Sequence, residues 1–185
     1  MSWRNTASSF GIMTIGLHWL MAVLILILYP LGLWMVALDY DHPWYRRAPD
    51  LHRTLGVVAA LLLVLRLGWR LANPLPAMEG RPWEQRLALL VHRVFYLLLT
   101  LLPVTGYLIT TADGHPLPLL GGLELPALGE GFENQEDVAG EVHEWLAHML
   151  IALVALHSAA ALKHHFVNRD STLHRMLRPA NNREE

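Results

Sequence analysis

Four long apolar stretches constrain the fold of this chain more than any other feature of its sequence. They lie near residues 11–38, 51–72, 87–111 and 142–167. A helix needs about 20 apolar residues to cross roughly 30 Å of hydrocarbon, and each stretch is long enough to do so. The first stretch lacks a short apolar region followed by a clear cleavage site, so we interpret it as a retained helix. We therefore predict an all-α integral membrane four-helix bundle that forms a single domain over residues 1–185.

The composition agrees with a membrane protein and excludes several kinds of cofactor site. Only 16% of the residues are charged, whereas about 25% is usual for a soluble domain. The formal net charge of −2 gives no indication of a nucleic-acid partner. The chain has no cysteine, which excludes disulfides, iron–sulfur clusters, thiolate zinc sites and the covalent attachment of c-type haem. Any haem must therefore be bound non-covalently.

The distribution of Lys and Arg predicts the direction of the spans. If the N-terminus is inside, the inner segments hold eleven of the 14 cations and the outer segments hold three. This positive-inside bias places both termini in the cytoplasm and the 112–141 connection outside. The inner cations are Arg4, Arg66, Arg70, Arg81, Arg86, Arg93, Lys163, Arg169, Arg175, Arg178 and Arg183, and the outer ones are Arg46, Arg47 and Arg53.

Histidines occur inside the spans, where ionisable side chains are costly and usually functional. His143 and His157 are fourteen residues apart, so they share a helix face and differ by about 21 Å in depth. His18 lies early in the first helix and His52 opens the second. Depth therefore pairs His18 with His157 near the inner surface, and His52 with His143 near the outer surface. Opposing imidazoles on facing helices can hold a haem iron, so the spacing predicts two haems held between the helices.

Some interpretations of the histidines stay open at this point. His92 lies early in the third helix, also near the inner surface, and spacing alone allows it as an inner ligand. An intramembrane histidine can also form a hydrogen bond between helices, and a histidine-lined proton or metal transporter without haem is a third possibility. His148 points about 140° away from His143. The pattern assigns no role to His148 or His165.

Five segments carry motifs around these histidines. They are "LHWL" around His18, "LHRTLGV" around His52, "VHRVFYLLLTLLPVTG", "HEWLAHMLIALVALHSAAALKHHF" and "DSTLHRML". From about residue 11 to residue 178 the chain resembles the bacterial cytochrome b561 family of small four-helix dihaem membrane proteins. The resemblance implies haem ligands at His18, His52, His143 and His157. It gives His92 a supporting role, such as a hydrogen bond to a propionate or a quinone.

The resemblance also implies an activity. Family members with this architecture are similar to superoxide oxidases, which oxidise superoxide at the periplasmic face and pass electrons through two b haems to ubiquinone. The broader family includes cytochrome subunits that link a partner dehydrogenase or hydrogenase to the quinone pool. We therefore expect a multi-pass protein of the bacterial inner membrane, with lipid, superoxide and ubiquinone as partners.

The outer cations suggest a contact for superoxide. Arg46, Arg47 and Arg53 oppose the positive-inside trend and flank His52. A local positive field raises the encounter rate of an anion such as superoxide. Neutralisation of haem propionates and contact with lipid are alternative roles for each of these arginines.

The inner end of the fourth span suggests a contact for quinone. His164 lies seven residues past His157, on nearly the same helix face. Its imidazole could donate a hydrogen bond or a proton to a quinone carbonyl beside the inner haem. The alternative is that His164 and His165 extend into the lipid headgroups.

Overall fold

The computed structural model describes residues 2–128 and 131–179. Most of them lie in four long helices: α1 (Ile12–Val36), α2 (Arg47–Ala72), α3 (Pro82–Thr110) and α4 (Gln135–Lys163). All four are long and apolar enough to cross a membrane. The predicted all-α fold class with four apolar helices is therefore confirmed. Arg183, one of the cations that predicted the direction of the spans, lies outside the described residues.

Three of the helices begin earlier than the apolar stretches indicated. α2 begins at Arg47, α3 at Pro82 and α4 at Gln135, whereas the sequence predicted starts near residues 51, 87 and 142. Their first turns carry acidic residues, including Asp50 and Glu84. Negative charge near a helix N-terminus is stabilised by the helix dipole, and proline is favoured at the first helical position. A criterion based on apolar length does not detect such polar first turns.

The remaining elements are short. A π-helical turn (His164–Asn168) continues α4, and Arg169 ends it in the left-handed conformation with φ 55°. The helix α5 (Thr172–Arg175) follows. In the connection between α3 and α4, β1 (Leu117–Pro118) pairs antiparallel with β2 (Glu124–Leu125).

The chain forms two compact units, and each long helix contributes to both. The first unit comprises Met1–Ala22, Leu62–Tyr96 and Ala152–Glu185. The second unit comprises Val23–Leu61 and Leu97–Ile151. Because the helices run through both units, this division does not test the predicted single domain, which stays a prediction.

Most large apolar side chains point outward. On α2, for example, Leu61, Val64 and Leu65 are all exposed, whereas Leu62 and Leu63 are buried. In water such a surface would be a liability, but apolar side chains are the ordinary exterior of a helix surrounded by lipid. The exposure pattern therefore agrees with the apolar length of the helices.

Side-chain hydrogen bonds fix the start of α1 within the first unit. The Asn5 side chain donates to the carbonyl of Pro74 over 2.8 Å and accepts from the Thr14 hydroxyl over 2.7 Å. The indole of Trp69 donates to the same hydroxyl over 3.0 Å. These bonds connect the beginning of α1 to the end of α2, and they set the position of His18, which lies one turn after Thr14.

Candidate functional site

The first unit contains three neighbouring histidines, which we call the first histidine cluster: His18 on α1, His92 on α3 and His157 on α4. The ring centres of His18 and His157 are 6.2 Å apart, with the ring planes at 62°. Those of His92 and His157 are 5.8 Å apart, with the planes at 77°. The structure thus brings His18 together with His157, and it also places His92 where it could take the place of His18 opposite His157.

The second unit contains the second histidine cluster, formed by His52 on α2 and His143 on α4. Their ring centres are also 6.2 Å apart, with the ring planes at 72°. The two histidines that depth paired near the outer surface are therefore neighbours in the structure.

Hydrogen bonds orient the ring of His143. Its Nδ1 lies 3.0 Å from the carbonyl oxygen of Leu102 and 2.9 Å from the hydroxyl of Thr105. That hydroxyl donates in turn to the carbonyl of Leu101 over 3.0 Å. With its proton on Nδ1, His143 donates to Leu102 and keeps the lone pair of Nε2 available for a metal. Metal-binding histidines usually have such a partner on the other nitrogen.

In the first cluster, His92 and His18 differ in which nitrogen is left free to bind a metal. Nδ1 of His92 donates to the carbonyl of Ala88 in its own helix over 2.7 Å, which also leaves Nε2 free. Nδ1 of His18 lies 3.1 Å from a guanidinium nitrogen of Arg66. Because a guanidinium only donates, this bond requires His18 to carry its proton on Nε2. The bond and metal binding through Nε2 therefore exclude each other, and Arg66 must donate elsewhere when His18 binds a metal.

The spacing of the rings fits a metal held between two imidazoles. When each imidazole nitrogen lies about 2 Å from a metal on opposite sides, the ring centres are roughly 6 Å apart. Within residues 2–128 and 131–179, no three His, Asp or Glu side chains converge as a complete metal site. A pair of imidazoles alone is suited to a metal whose other ligands come from a cofactor. Haem is such a cofactor, because it supplies four nitrogen ligands to its iron.

Two glycines allow the helices to approach the rings of the second cluster closely. A Cβ atom added at Gly32 would lie 3.2 Å from Cε1 of His52, and one added at Gly106 would lie 3.4 Å from Cε1 of His143. The first distance is tighter than normal packing allows. The missing side chain at Gly32 therefore makes room for the imidazole of His52.

A pair of arginines, both of which served to predict the direction of the spans, lies beside the first cluster. The guanidinium carbon of Arg66 is 5.9 Å from the centre of the Tyr96 ring, and that of Arg70 is 5.6 Å from it. Both distances are typical of cation–π contacts. The available signal was the presence of arginine inside an apolar span, since such residues usually have a specific partner.

The three arginines predicted to attract superoxide differ in their surroundings. Arg53 forms an ion pair with Asp50, one turn earlier on α2. Arg46 and Arg47 are exposed, and within the described ranges neither forms an ion pair. The positive charge of Arg53 is thus already balanced, whereas Arg46 and Arg47 keep theirs.

His164 lies in a polar cluster at the end of α4. Its Nδ1 is 2.5 Å from a carboxylate oxygen of Asp170. Lys163 donates to Glu84 over 2.6 Å. A cleft of about 620 Å³ beside these side chains is lined by Gly80, Arg81, Trp83, Glu84, Lys163, Asn168 and Asp170. The structure therefore places His164 beside this cleft, and no contact between His164 and His157 was found among the described residues.

Asp170 and Glu79 connect the end of the described chain to the α2–α3 connection. Burial favours a higher pKa for Asp170, but hydrogen bonds from His164 and Thr172 outweigh it and lower the pKa to about 2. A hydrogen bond from Ser171 likewise lowers the pKa of Glu79, which also pairs with Arg175. Both carboxylates are therefore charged at neutral pH.

The two histidines without an assigned role are separate from both clusters. Nδ1 of His148 lies 3.0 Å from the hydroxyl of Tyr29, and its Nε2 lies 3.6 Å from a carboxylate oxygen of Glu144. His165 is exposed and packs edge-on against Phe166, with ring centres 4.7 Å apart. Sequence reasoning did not predict the Tyr29 contact, because it depends on how α1 and α4 are rotated against each other.

Comparison with known proteins decides the family. The family model described as prokaryotic cytochrome b561 matches residues 9–179, which is nearly the whole chain. The chain belongs to the prokaryotic cytochrome b561 family. Members of this family are membrane electron-transfer cytochromes that bind b-type haem and are linked to quinone. The cytochrome b561 assignment therefore favours a haem protein over a transporter without haem.

Three curated relatives of this cytochrome b561 chain cover nearly its full length. Cytochrome b561 homolog 2 of Escherichia coli is 40% identical over 179 residues, 96% of this chain and 95% of that protein. The probable superoxide oxidase CybB of Yersinia pestis is 30% identical over 171 residues, 91% and 95% of the two chains. Cytochrome b561 homolog 1 of Escherichia coli is 26% identical over 165 residues, 88% and 93% of the two chains.

Proposed function

We propose that the protein is a dihaem cytochrome b of the bacterial inner membrane that oxidises superoxide at the outer face and reduces ubiquinone at the inner face. The observation that carries the proposal is the matched pair of histidine neighbours, His18 with His157 and His52 with His143, each with ring centres 6.2 Å apart. The relative named as a probable superoxide oxidase supports the choice of superoxide as electron donor. The bias of Arg and Lys supports cytoplasmic termini.

The four histidines hold the cofactors in this scheme. His52 and His143 bind the outer haem, and His18 and His157 bind the inner one. Each bound haem supplies a carrier for one electron. Leu102 and Thr105 fix the orientation and tautomer of His143, and they increase the basicity of its imidazole.

The overall reaction balances without a further co-reactant. Two superoxide anions each lose one electron and become O₂, and one ubiquinone takes up two electrons and two protons to become ubiquinol. The exposed cations Arg46 and Arg47 attract the anionic donor to the outer face. Their effect is on the rate of encounter, since they do not take part in the electron transfer itself.

His164 acts at the inner face. Its hydrogen bond to Asp170 fixes the ring through Nδ1 and leaves Nε2 free to donate to a quinone carbonyl when the ring is protonated. The cleft beside Asp170 offers space for part of the quinone head group.

Stopped-flow spectroscopy of the purified chain tests the proposed activity. Superoxide alone should reduce both haems, and added ubiquinone should reoxidise them and sustain turnover. His52→Ala should abolish the fast reduction by superoxide, whereas Gly68→Ala, at an exposed position of α2 with open space around it, serves as the control. If the isolated chain is not reduced by superoxide but is reduced by a bound dehydrogenase, the protein is a cytochrome subunit and not a superoxide oxidase.

A further inference from the structure

Two arginines lie close together near the end of α2, inside a helix that is otherwise apolar. Arg66 and Arg70 are one helical turn apart, and both contact the ring of Tyr96. Both side chains are half-buried. Two like charges at this spacing repel each other, and a charge at membrane depth is costly without a compensating anion. The contact with Tyr96 offsets only part of this cost.

The first unit has no free carboxylate for these arginines. Its described residues include only three acids, and each has another cation or donor. Glu79 binds Arg175 and Ser171, Glu84 binds Lys163, and Asp170 binds His164. Over residues 2–128 and 131–179, no ion pair includes Arg66 or Arg70. Among the described residues these two arginines therefore lack a compensating carboxylate, which a bound anionic molecule would supply.

We infer that Arg66 and Arg70 bind the two propionate carboxylates of the haem held by the first histidine cluster. This inference rests on the proposed haem site between His18 and His157. Haem b carries two propionates on one edge, and guanidinium groups bind carboxylates through paired charge-assisted hydrogen bonds. Arg66 lies beside His18, so it is at the level of the proposed cofactor. Arg70 is about 6 Å further along the helix axis, towards the end of α2.

The contact between Arg66 and His18 supports the same conclusion. Its geometry requires the proton of His18 to be on Nε2, and binding of iron through that nitrogen removes this proton. The guanidinium then loses its acceptor at Nδ1 and keeps only its side-chain hydrogen bond to Tyr96 among the described hydrogen bonds. A propionate of the same cofactor provides an acceptor at the moment when the bond to His18 is lost. Arg66 is thus a positioning residue that exchanges one partner for another when haem binds.

Haem release and redox potential test the inference. In Arg66→Gln/Arg70→Gln, haem should leave the first cluster for a haem-scavenging globin at least about tenfold faster, as expected from the loss of a charge-assisted hydrogen bond. The midpoint potential of the haem that stays bound at the first cluster should fall, because nearby positive charges stabilise the reduced form of the haem. Arg93→Gln is the matched control, since Arg93 is an exposed arginine on α3. The conservative double variant Arg66→Lys/Arg70→Lys, which keeps both positive charges, should restore most of the potential.

Reconstitution with haem dimethyl ester identifies the carboxylates directly. Esterification should weaken binding at the first cluster of the wild-type chain by about tenfold or more, and it should have little effect in Arg66→Gln/Arg70→Gln. An equal effect of the ester in both proteins would overturn the inference, and so would no effect in the wild type. The latter result would leave a lipid headgroup of net negative charge as the anion, which a change to vesicles of zwitterionic lipid would then reveal.

The test separates failure of this inference from failure of the proposed function. If the wild-type chain binds no haem at the first cluster, the proposed dihaem function fails first. If two haems bind and the ester changes nothing, only the role of the arginines is wrong. If the double variant does not fold, the ester's effect in the wild-type chain is compared with that in the single variant Arg70→Gln, and an equal effect in the two overturns the role of Arg70.

Discussion

The imidazole of His52 lies so close to Gly32 that a methyl group at that position would stand 3.2 Å from its Cε1. Gly32→Ala should therefore displace the ring and lower haem occupancy at the second cluster, with a loss of stability of about 1–3 kcal/mol from overpacking. Occupancy can be measured by the pyridine haemochrome assay and stability by thermal unfolding in detergent. Gly68→Ala on α2 is the control, because Gly68 is exposed and a Cβ atom there meets nothing within 4 Å. Equal occupancy in both variants would show that this contact does not position the ring.

Replacement of the proposed ligands should remove one haem at a time. His52→Ala and His143→Ala should lower the haem content from two to one per chain and leave the first cluster intact. His18→Ala and His157→Ala should remove the other haem. The pyridine haemochrome assay, combined with redox titration, measures which haem is lost.

The neighbours of His157 make His92→Ala the decisive variant in the first cluster. Since His92 lies 5.8 Å from His157 and has a free Nε2, ring geometry allows it as a ligand. We expect His92→Ala to retain both haems. If it loses one while His18→Ala keeps two, the assignment of His18 is wrong.

The exposed cations before His52 should affect the reaction with superoxide through long-range attraction. The Debye length falls from about 10 Å at 0.1 M salt to about 3 Å at 1 M. Arg46→Gln/Arg47→Gln should slow haem reduction by superoxide several-fold at low salt and flatten its salt dependence, while reoxidation by quinone changes little. Stopped-flow rates against ionic strength measure the effect. Identical rates of the variant and the wild type at every salt concentration would exclude steering by this pair.

The hydrogen bond between Asp170 and His164 should stabilise the fold at neutral pH. Because the pKa of Asp170 is lowered to about 2 in the folded chain, its contribution is complete well above the unfolded pKa and is lost as the pH falls towards 2. Asp170→Asn should therefore lower stability at pH 7 by about 1–2 kcal/mol, and the difference should be roughly halved at pH 3. Thermal unfolding at the two pH values measures it. Asp41→Asn, at an exposed carboxylate, should have little effect at either pH.

Periodicity and depth predicted much of the architecture. The apolar stretches indicated all four helices, and the fourteen-residue spacing of His143 and His157 indicated that each would meet a different partner. Those inferences needed only the rise per residue of a helix and the helix face on which each residue lies. The polar first turns at Arg47, Pro82 and Gln135 were missed, because their stability comes from helix-dipole and capping effects and not from apolar length.

The contacts around the histidines could not be predicted in the same way. The bond from His143 to Leu102 and Thr105 depends on the rotation of α3 against α4, and the bond between Arg66 and His18 depends on the rotamer of a long side chain. Neither quantity follows from the spacing of residues along one helix. The placement of His164 beside Asp170 likewise required the π-helical turn after Lys163, which no sequence pattern indicated.

Both histidine clusters include a residue of α4, His157 in one and His143 in the other. During synthesis, α4 is the last of the four long helices to leave the ribosome and enter the membrane. A nascent chain that ends after α3 already carries His18, His52 and His92, but it offers no opposing imidazole from α4 for either proposed haem. If the proposed ligands are correct, stable cofactor loading follows insertion of the final helix, and incompletely translated chains do not retain either haem through the proposed pair of ligands.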